Sequence, residues 1–122
     1  MRKILLSFSS QSAIESLSLV LRPIGAQLNV AQSPEAMVDA LLGDSYSLLL
    51  TNHISPFLGG GDLVGRLCRR PVPRPSIFII SHLRHEPTLL ALYESGVDQF
   101  ISFPLSPHRL LRKVVEELQT RP

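Results

Sequence analysis

The chain has 122 residues, of which 44% are hydrophobic and 18% charged, with a formal net charge of +2. That length suits one domain and leaves no room for a second core of ordinary size, and that balance of residues excludes a disordered chain. The longest apolar runs, such as Leu48 to Leu50 and Ile77 to Ile80, are far too short for a bilayer core of roughly 30 Å, and the stretch from Met1 to Phe8 lacks the h-region and cleavage site of a signal peptide. The expectation is a cytoplasmic protein with a single domain over residues 1–122, which could also stand at the N-terminal end of a longer protein.

Lys3 to Phe8 is a short apolar run that reads as a strand, and Ser9 to Leu21 follows with helical periodicity through Ile14, Leu17 and Leu21, stopping before Pro23. Ala26 to Ala31 reads as a second strand. Ser33-Pro34 then supplies an N-cap and a first-turn proline, with Met37, Ala40 and Leu41 on one face of the helix. Ser47 to Thr51 is an apolar strand of the kind buried on both faces, and after an irregular loop Asp62 caps a helix reaching about Arg70, where the run Pro71-Val72-Pro73-Arg74-Pro75 stops it. Ser76 to Ser81 is the fourth strand, Pro87 to Ser95 a helix closed by Gly96, and Asp98 to Phe103 the fifth strand. Ser106-Pro107 repeats the cap, and Leu110, Leu111, Val114, Val115 and Leu118 form the stripe of a last amphipathic helix. Five such alternations predict an α/β fold, a doubly wound parallel sheet covered by helices on both faces, with its functional loops at the carboxyl edge of the strands.

Cys68 is the only cysteine, so neither an internal disulfide nor a multi-cysteine zinc site is available, and its spacing from Leu63, Val64 and Leu67 predicts a buried small hydrophobe. Arg66, Arg69, Arg70 and Arg74 make the only basic cluster. No nucleic-acid module or longer basic stripe accompanies them, so they read as a solvated helix face and the loop after it, and direct contact with nucleic acid is not expected. His53, His82 and His85 fall along the loop edge, yet no carboxylate is placed beside them, and no metal site is expected. Gly59-Gly60-Gly61 lacks the lysine and hydroxyl of a phosphate-binding loop, and Asp62 would repel phosphate there. Ser9, Ser10 and Ser81 with the histidines show no nucleophile-elbow spacing, so no catalytic residue is assigned.

Three segments carry a resemblance: Tyr46-Ser47-Leu48-Leu49-Leu50-Thr51-Asn52 followed by Pro56 and Gly60; Ile77-Phe78-Ile79-Ile80-Ser81; and Gly96 through Leu105 with Pro104 near its end. In order and spacing the chain resembles, from Lys3 to Leu118, the CheY-like receiver domain of bacterial response regulators. The resemblance implies a flavodoxin-like sheet with strand order 2-1-3-4-5 and a place in two-component-type signalling. An active receiver needs an acidic pair after strand one, an acceptor aspartate after strand three, a hydroxyl after strand four and a lysine after strand five. The carboxylates hold Mg²⁺, the acceptor is the nucleophile, and metal and lysine neutralise the phosphoryl charge. The matching positions here are Phe8 and Ser9, Asn52, Ser81 and Phe103, so only the hydroxyl is kept. An amide is no useful nucleophile toward phosphorus and offers no charge to Mg²⁺.

The chain is therefore expected to be a degenerate receiver, a pseudo-receiver that is not an enzyme, uses no cofactor and acts by binding another protein or itself. Phe100 stands at the family's switch-aromatic position, where core packing is the simpler role. The resemblance places partner contacts on helix four, strand five and helix five, with Leu89, Tyr93, Gln99, Ser102, Arg109, Arg112 and Lys113 as candidates and Tyr93, Arg109 and Arg112 as the better anchors. The competing reading is a small-molecule or cofactor binder at the rim formed by Phe8, Asn52, His53, Ser81 and Phe103.

Overall fold

The computed structural model describes residues 2–120; Met1, Arg121 and Pro122, which the expected domain includes, lie outside the described residues. Five strands, β1 (Lys3–Ser7), β2 (Gln27–Val30), β3 (Leu48–Thr51), β4 (Ser76–Ser81) and β5 (Gln99–Ser102), form one sheet in the order β2-β1-β3-β4-β5. Every neighbouring pair is parallel. Between and after them run α1 (Gln11–Leu21), α2 (Pro34–Gly43), α3 (Leu63–Cys68), α4 (Glu86–Glu94) and α5 (Pro107–Gln119). This is the doubly wound, flavodoxin-like arrangement that the alternation predicts. No helix among the described residues is long and apolar enough to cross a membrane.

Alternation along the strands sorts the core into two layers. Leu5, Leu49, Ile77 and Ile79 pack with Met37 and Leu41 of α2, Leu63 and Leu67 of α3 and Leu92 of α4. Ile4, Leu6, Leu48, Leu50, Phe78 and Ile80 point the other way, onto Ile14, Leu17 and Leu21 of α1 and Leu110, Val114 and Leu118 of α5. In α5 those three residues are buried while Leu111 and Val115 flank them half-buried, so the apolar stripe is narrower than the sequence implies.

The helix starts follow their caps. Ser10, Ser33 and Ser106 each accept, through Oγ, the backbone N–H three residues on, and Pro34 and Pro107 occupy the first turns behind two of them. Because Ser10 is the cap, α1 begins at Gln11 and not at Ser9. Pro23 does not end the chain's coiling: a 3-10 turn, Arg22–Ile24, extends α1 before Gly25 reverses direction at φ 75°. Asp62 caps α3 from the left-handed region, and α3 stops at Cys68, two residues short of Arg70. Gly96, φ 109°, has no alternative, since a Cβ there would lie 2.6 Å from Val64 Cγ1. The Phe103–Pro104 peptide is cis.

Two expectations are corrected. Cys68 is exposed. It is the last residue of α3, one turn beyond Val64, which already sits at the margin of the buried stripe, so helical phase carries position 68 past that margin. The arginine cluster is not uniformly solvated either. Arg66 and Arg69 are exposed, and Arg69 reaches Asp62 at 3.5 Å, but Arg70 and Arg74 are half-buried. Arg70 Nη1 donates to the carbonyls of Leu42 and Asp44, at 3.3 and 2.8 Å, closing the end of α2.

Arg74 faces Asp98 as a two-pronged pair, Nη1 to Oδ2 at 3.0 Å and Nη2 to Oδ1 at 2.9 Å. Asp98 Oδ2 also accepts the Ile77 N–H at 2.7 Å, so one carboxylate joins the loop before β4, β4 itself and the entry to β5. β5 starts at Gln99, one residue later than expected, although the Asp98 N–H still donates to the Ile77 carbonyl at 3.0 Å. Charge-assisted bonds of this geometry are the strong class, and the hydrogen bond to Asp98 raises the guanidinium further above its ordinary pKa. Asp98→Ala leaves a strand N–H unpartnered and a half-buried cation with only the Pro75 carbonyl, which Arg74 Nη1 meets at 2.9 Å, and the expected loss is about 2–3 kcal/mol by denaturant unfolding. A loss below about 0.5 kcal/mol would mean that the clamp is not an anchor.

Candidate functional site

The carboxyl edge of the sheet is built by four loops, and the strand register brings them together: Ser7 lies beside Thr51, Thr51 beside Ile79, and Ser81 beside Ser102. The residue after β1, Phe8, is 2% exposed and belongs to the core layer under α1 and α5. Phe103, after β5, is half-buried against the same layer. The His82 ring stacks on Phe103 from the solvent side, with centroids 4.7 Å apart and 28° between planes. Arg84 Nη2 donates to the Phe103 carbonyl at 3.4 Å. Aromatic rings thus occupy positions where the resemblance would place a carboxylate and a lysine.

Asn52 and Ser9 close the gap between the first and third loops. The Ser9 N–H donates to Asn52 Oδ1 at 3.2 Å, and Asn52 Nδ2 donates to Ser9 Oγ at 3.0 Å. Both ends of the carboxamide are used, the oxygen as acceptor and the nitrogen as donor. Ser81 Oγ accepts the Leu83 N–H at 3.1 Å, which bends the chain out of β4. Thr51 does the same after β3, its Oγ1 accepting the His53 N–H at 2.9 Å. The reciprocal Asn52–Ser9 pair is not readable from spacing, because 43 residues separate its members.

The three rim histidines do not converge. His82 stacks on Phe103, His85 Nδ1 lies 2.8 Å from Thr88 Oγ1, and His53 is half-buried with no partner for Nε2 among the described residues. Among those residues no three His, Cys, Asp or Glu side chains are grouped as a metal ion would require. Three grooves are lined by neither Asn52 nor Ser9 nor Ser81, although Phe103 lines the third. One runs between β5 and α5, a second lies beside α2 at Glu35 and Asp39, and a third, of about 370 Å³, lies between α1 and the loop after β5.

The expected contact residues border the β5 edge of the sheet. Tyr93 of α4 is exposed, at 46%, and Leu89 is half-buried; Leu90, which is not among the candidates, is exposed beside them. Tyr93 Oη accepts the Phe100 N–H at 3.1 Å, tying α4 to the edge strand. Gln99 is half-buried and Ser102 exposed on β5, while Arg109 and Arg112 are exposed and Lys113 half-buried on α5. Phe100 is half-buried and packs on the layer under α2, α3 and α4. The Tyr93–Phe100 bond is a contact the sequence does not announce; the only signal is a tyrosine on a helix neighbouring an edge strand.

Burial holds the His53 imidazole below its ordinary pKa, a shift that Glu35 partly offsets. Protonation is therefore easier in the unfolded chain. The stability tied to neutral His53 is complete above the unfolded value, about 6.5, and is lost as pH falls from there through the depressed folded value. Unfolding curves between roughly pH 7 and 5 should show this slope in the parent chain and a flatter profile in His53→Asn. Equal slopes would remove His53 from the balance.

Neither a protein-family model nor a curated protein matches the sequence. Solved structures do match. A two-component response regulator from Clostridium difficile is 22% identical with a TM-score of 0.79, and 98% of each chain is covered. An orphan response regulator of H. pylori is 17% identical with a TM-score of 0.80 over 96% of each chain. A CheY-like receiver domain protein from Methanospirillum hungatei is 19% identical with a TM-score of 0.76, covering 98% of this chain and 94% of that one. Strand order, helix placement and these superpositions lead to one conclusion: the chain has the CheY-like receiver fold.

Proposed function

We propose that the chain is a receiver-fold signalling module that works without phosphoryl transfer, binding a protein partner constitutively through the face made by α4, β5 and α5. The observation that carries this reading is the state of the rim. Phe8 is sunk in the core and Asn52 is bonded at both ends to Ser9, so the third-strand loop holds neither a nucleophilic carboxylate nor a free ligand for Mg²⁺. No aspartate, glutamate or lysine stands in the segments 7–10, 51–53, 81–83 or 102–104. A phosphate-driven switch needs a group that binds two conformations with different free energy, and that source is missing. A preformed surface presented by a rigid βα scaffold needs no such source and binds without the cost of a conformational change. The cofactor-binding alternative finds less support, because, of the rim residues, only Phe103 lines one of these three grooves, and Asn52, His53 and Ser81 line none of them.

Incubation with Mg²⁺ and acetyl phosphate should leave the intact mass unchanged, and calorimetric titration with Mg²⁺ should be silent. Asn52→Asp alone should behave the same way, since Phe8, Ser9 and Phe103 remain. A hydroxylamine-sensitive phosphoryl label on either protein would overturn the phosphorylation-independent reading.

A paired comparison tests the face. Arg109→Glu with Arg112→Glu should abolish partner capture or in vivo complementation while the fold persists by circular dichroism. Asn52→Ala with Ser81→Ala should retain function. The reverse pattern in two folded variants would transfer the function to the rim.

A further inference from the structure

We infer that the free edge of the sheet, β2, pairs with β2 of a second copy of this chain, antiparallel and about a two-fold axis at Asn29. β2 has one neighbour, β1, and lies at the opposite end of the sheet from β5. Its ladder to β1 runs without a bulge from Lys3 beside Gln27 to Leu6 beside Val30. Gln27 donates its N–H to the Arg2 carbonyl and Ala31 donates its N–H to the Leu6 carbonyl, so the odd-numbered peptide groups face β1. Leu28 and Val30 therefore turn their N–H and C=O groups away from the sheet. No turn or loop backbone group among the described residues bonds to them. Edges of this kind are normally protected by a charge, a proline or a bulge, and β2 has none of these.

The absence of charge identifies the occupant. The segment 23–34 contains no aspartate, glutamate, lysine, arginine or histidine, and its prolines stand only at its two ends. A two-fold contact sets a segment against its own copy, and like charges directly opposite are destabilising. An uncharged segment meets itself without that cost, and it carries nothing that would select a charged partner strand. Leu28 is half-buried against the layer under α1 and α5, and Val30, two residues on, lies on the same side of the sheet and is 46% exposed. An axis at Asn29 sets Leu28 opposite Val30 of the second copy in hydrogen-bonded pairs, which satisfies the outward groups of both strands and covers the exposed valine. On the other side of the sheet Gln27 Nε2 donates to Asn29 Oδ1 at 3.1 Å and Asn29 Nδ2 to Tyr46 Oη at 2.9 Å, so these polar side chains are already bonded within their own chain. The paired strand is only four residues long, well short of an obligate interface, so the dimer forms and parts with concentration. The face made by α4, β5 and α5 lies at the other end of the sheet and stays free in both copies.

Sedimentation velocity at rising protein concentration, up to about 1 mM, tests the pairing, and the expected result is a monomer–dimer equilibrium. Val30→Lys puts a charge at an exposed position and should weaken the dimer about tenfold or more, whereas the neutral Val30→Thr should change it much less. Arg109→Glu with Arg112→Glu should leave it unchanged. Cross-linking in a Cys68→Ser background reads the register. Asn29→Cys should give a disulfide-linked dimer on mild oxidation, because residues opposite each other at a non-hydrogen-bonded site lie within disulfide reach. Val30→Cys, offset by two residues from its own copy, should not. Circular dichroism checks that each variant keeps the parent fold. A monomer at every concentration, an equilibrium indifferent to Val30→Lys, or one abolished by the Arg109 and Arg112 variant would overturn the inference. So would cross-linking at Val30→Cys that matches or exceeds that at Asn29→Cys.

Discussion

β3 is closed off from water on both sides: Leu48, Leu49, Leu50 and Thr51 are all 0% exposed. A strand in that position imposes its pleat on everything around it, because Leu48 and Leu50 feed one core layer and Leu49 the other. Shifting its pairing by a single residue would exchange the two layers and place the wrong set of side chains under each helix. The positions of Asn52 beyond one end and Ser47 before the other follow from that register. So does the alignment of the four loop ends, since β1 and β4 both pair directly with β3.

The two ends of the edge strand β5 are treated differently. At its start the Asp98 carboxylate is engaged by Arg74 and by the Ile77 N–H. At its far end Phe103 lies between core and His82, with its carbonyl held by Arg84. Between these anchors the strand presents Ser102 outward and borders the groove along α5. The proposed contact surface thus sits on the part of the sheet edge whose backbone is fixed from both sides. Preorganisation of that kind lowers the ordering cost of association.

Much of this was legible in the residues. The capping pairs Ser33-Pro34 and Ser106-Pro107 mark helix starts that the structure reproduces, and the apolar strand ending in Thr51 announces a centre buried on both faces. Local signals carry these features, and local signals survive in one dimension. What was not legible depends on partners distant in the chain. Arg74 reads as one of four surface arginines until Asp98, 24 residues on, is placed beside it. Cys68 lies at helical spacing from the buried residues of α3, yet one turn beyond Val64 it faces solvent. At the rim, residue types alone identify the missing carboxylates and lysine, but not that Asn52 spans to Ser9 or that His82 covers Phe103.

Gly96 and Val64 bring the turn before β5 to within contact of the first turn of α3. Two separate penalties guard that contact. A side chain at 96 meets the Val64 methyls, and it must also adopt a backbone angle that L residues avoid. Trimming Val64 relieves the first penalty and leaves the second, so compensation at one position alone is incomplete. Sequence drift is therefore coupled across 32 positions at a place remote from any chemistry. The mouth of the Gly59–Gly61 loop, which opens onto α3, and the C-terminal end of α4, which carries Tyr93, share a single steric boundary. Substitutions in the loop that displace α3 would thus be registered at the end of α4 and in the turn before β5.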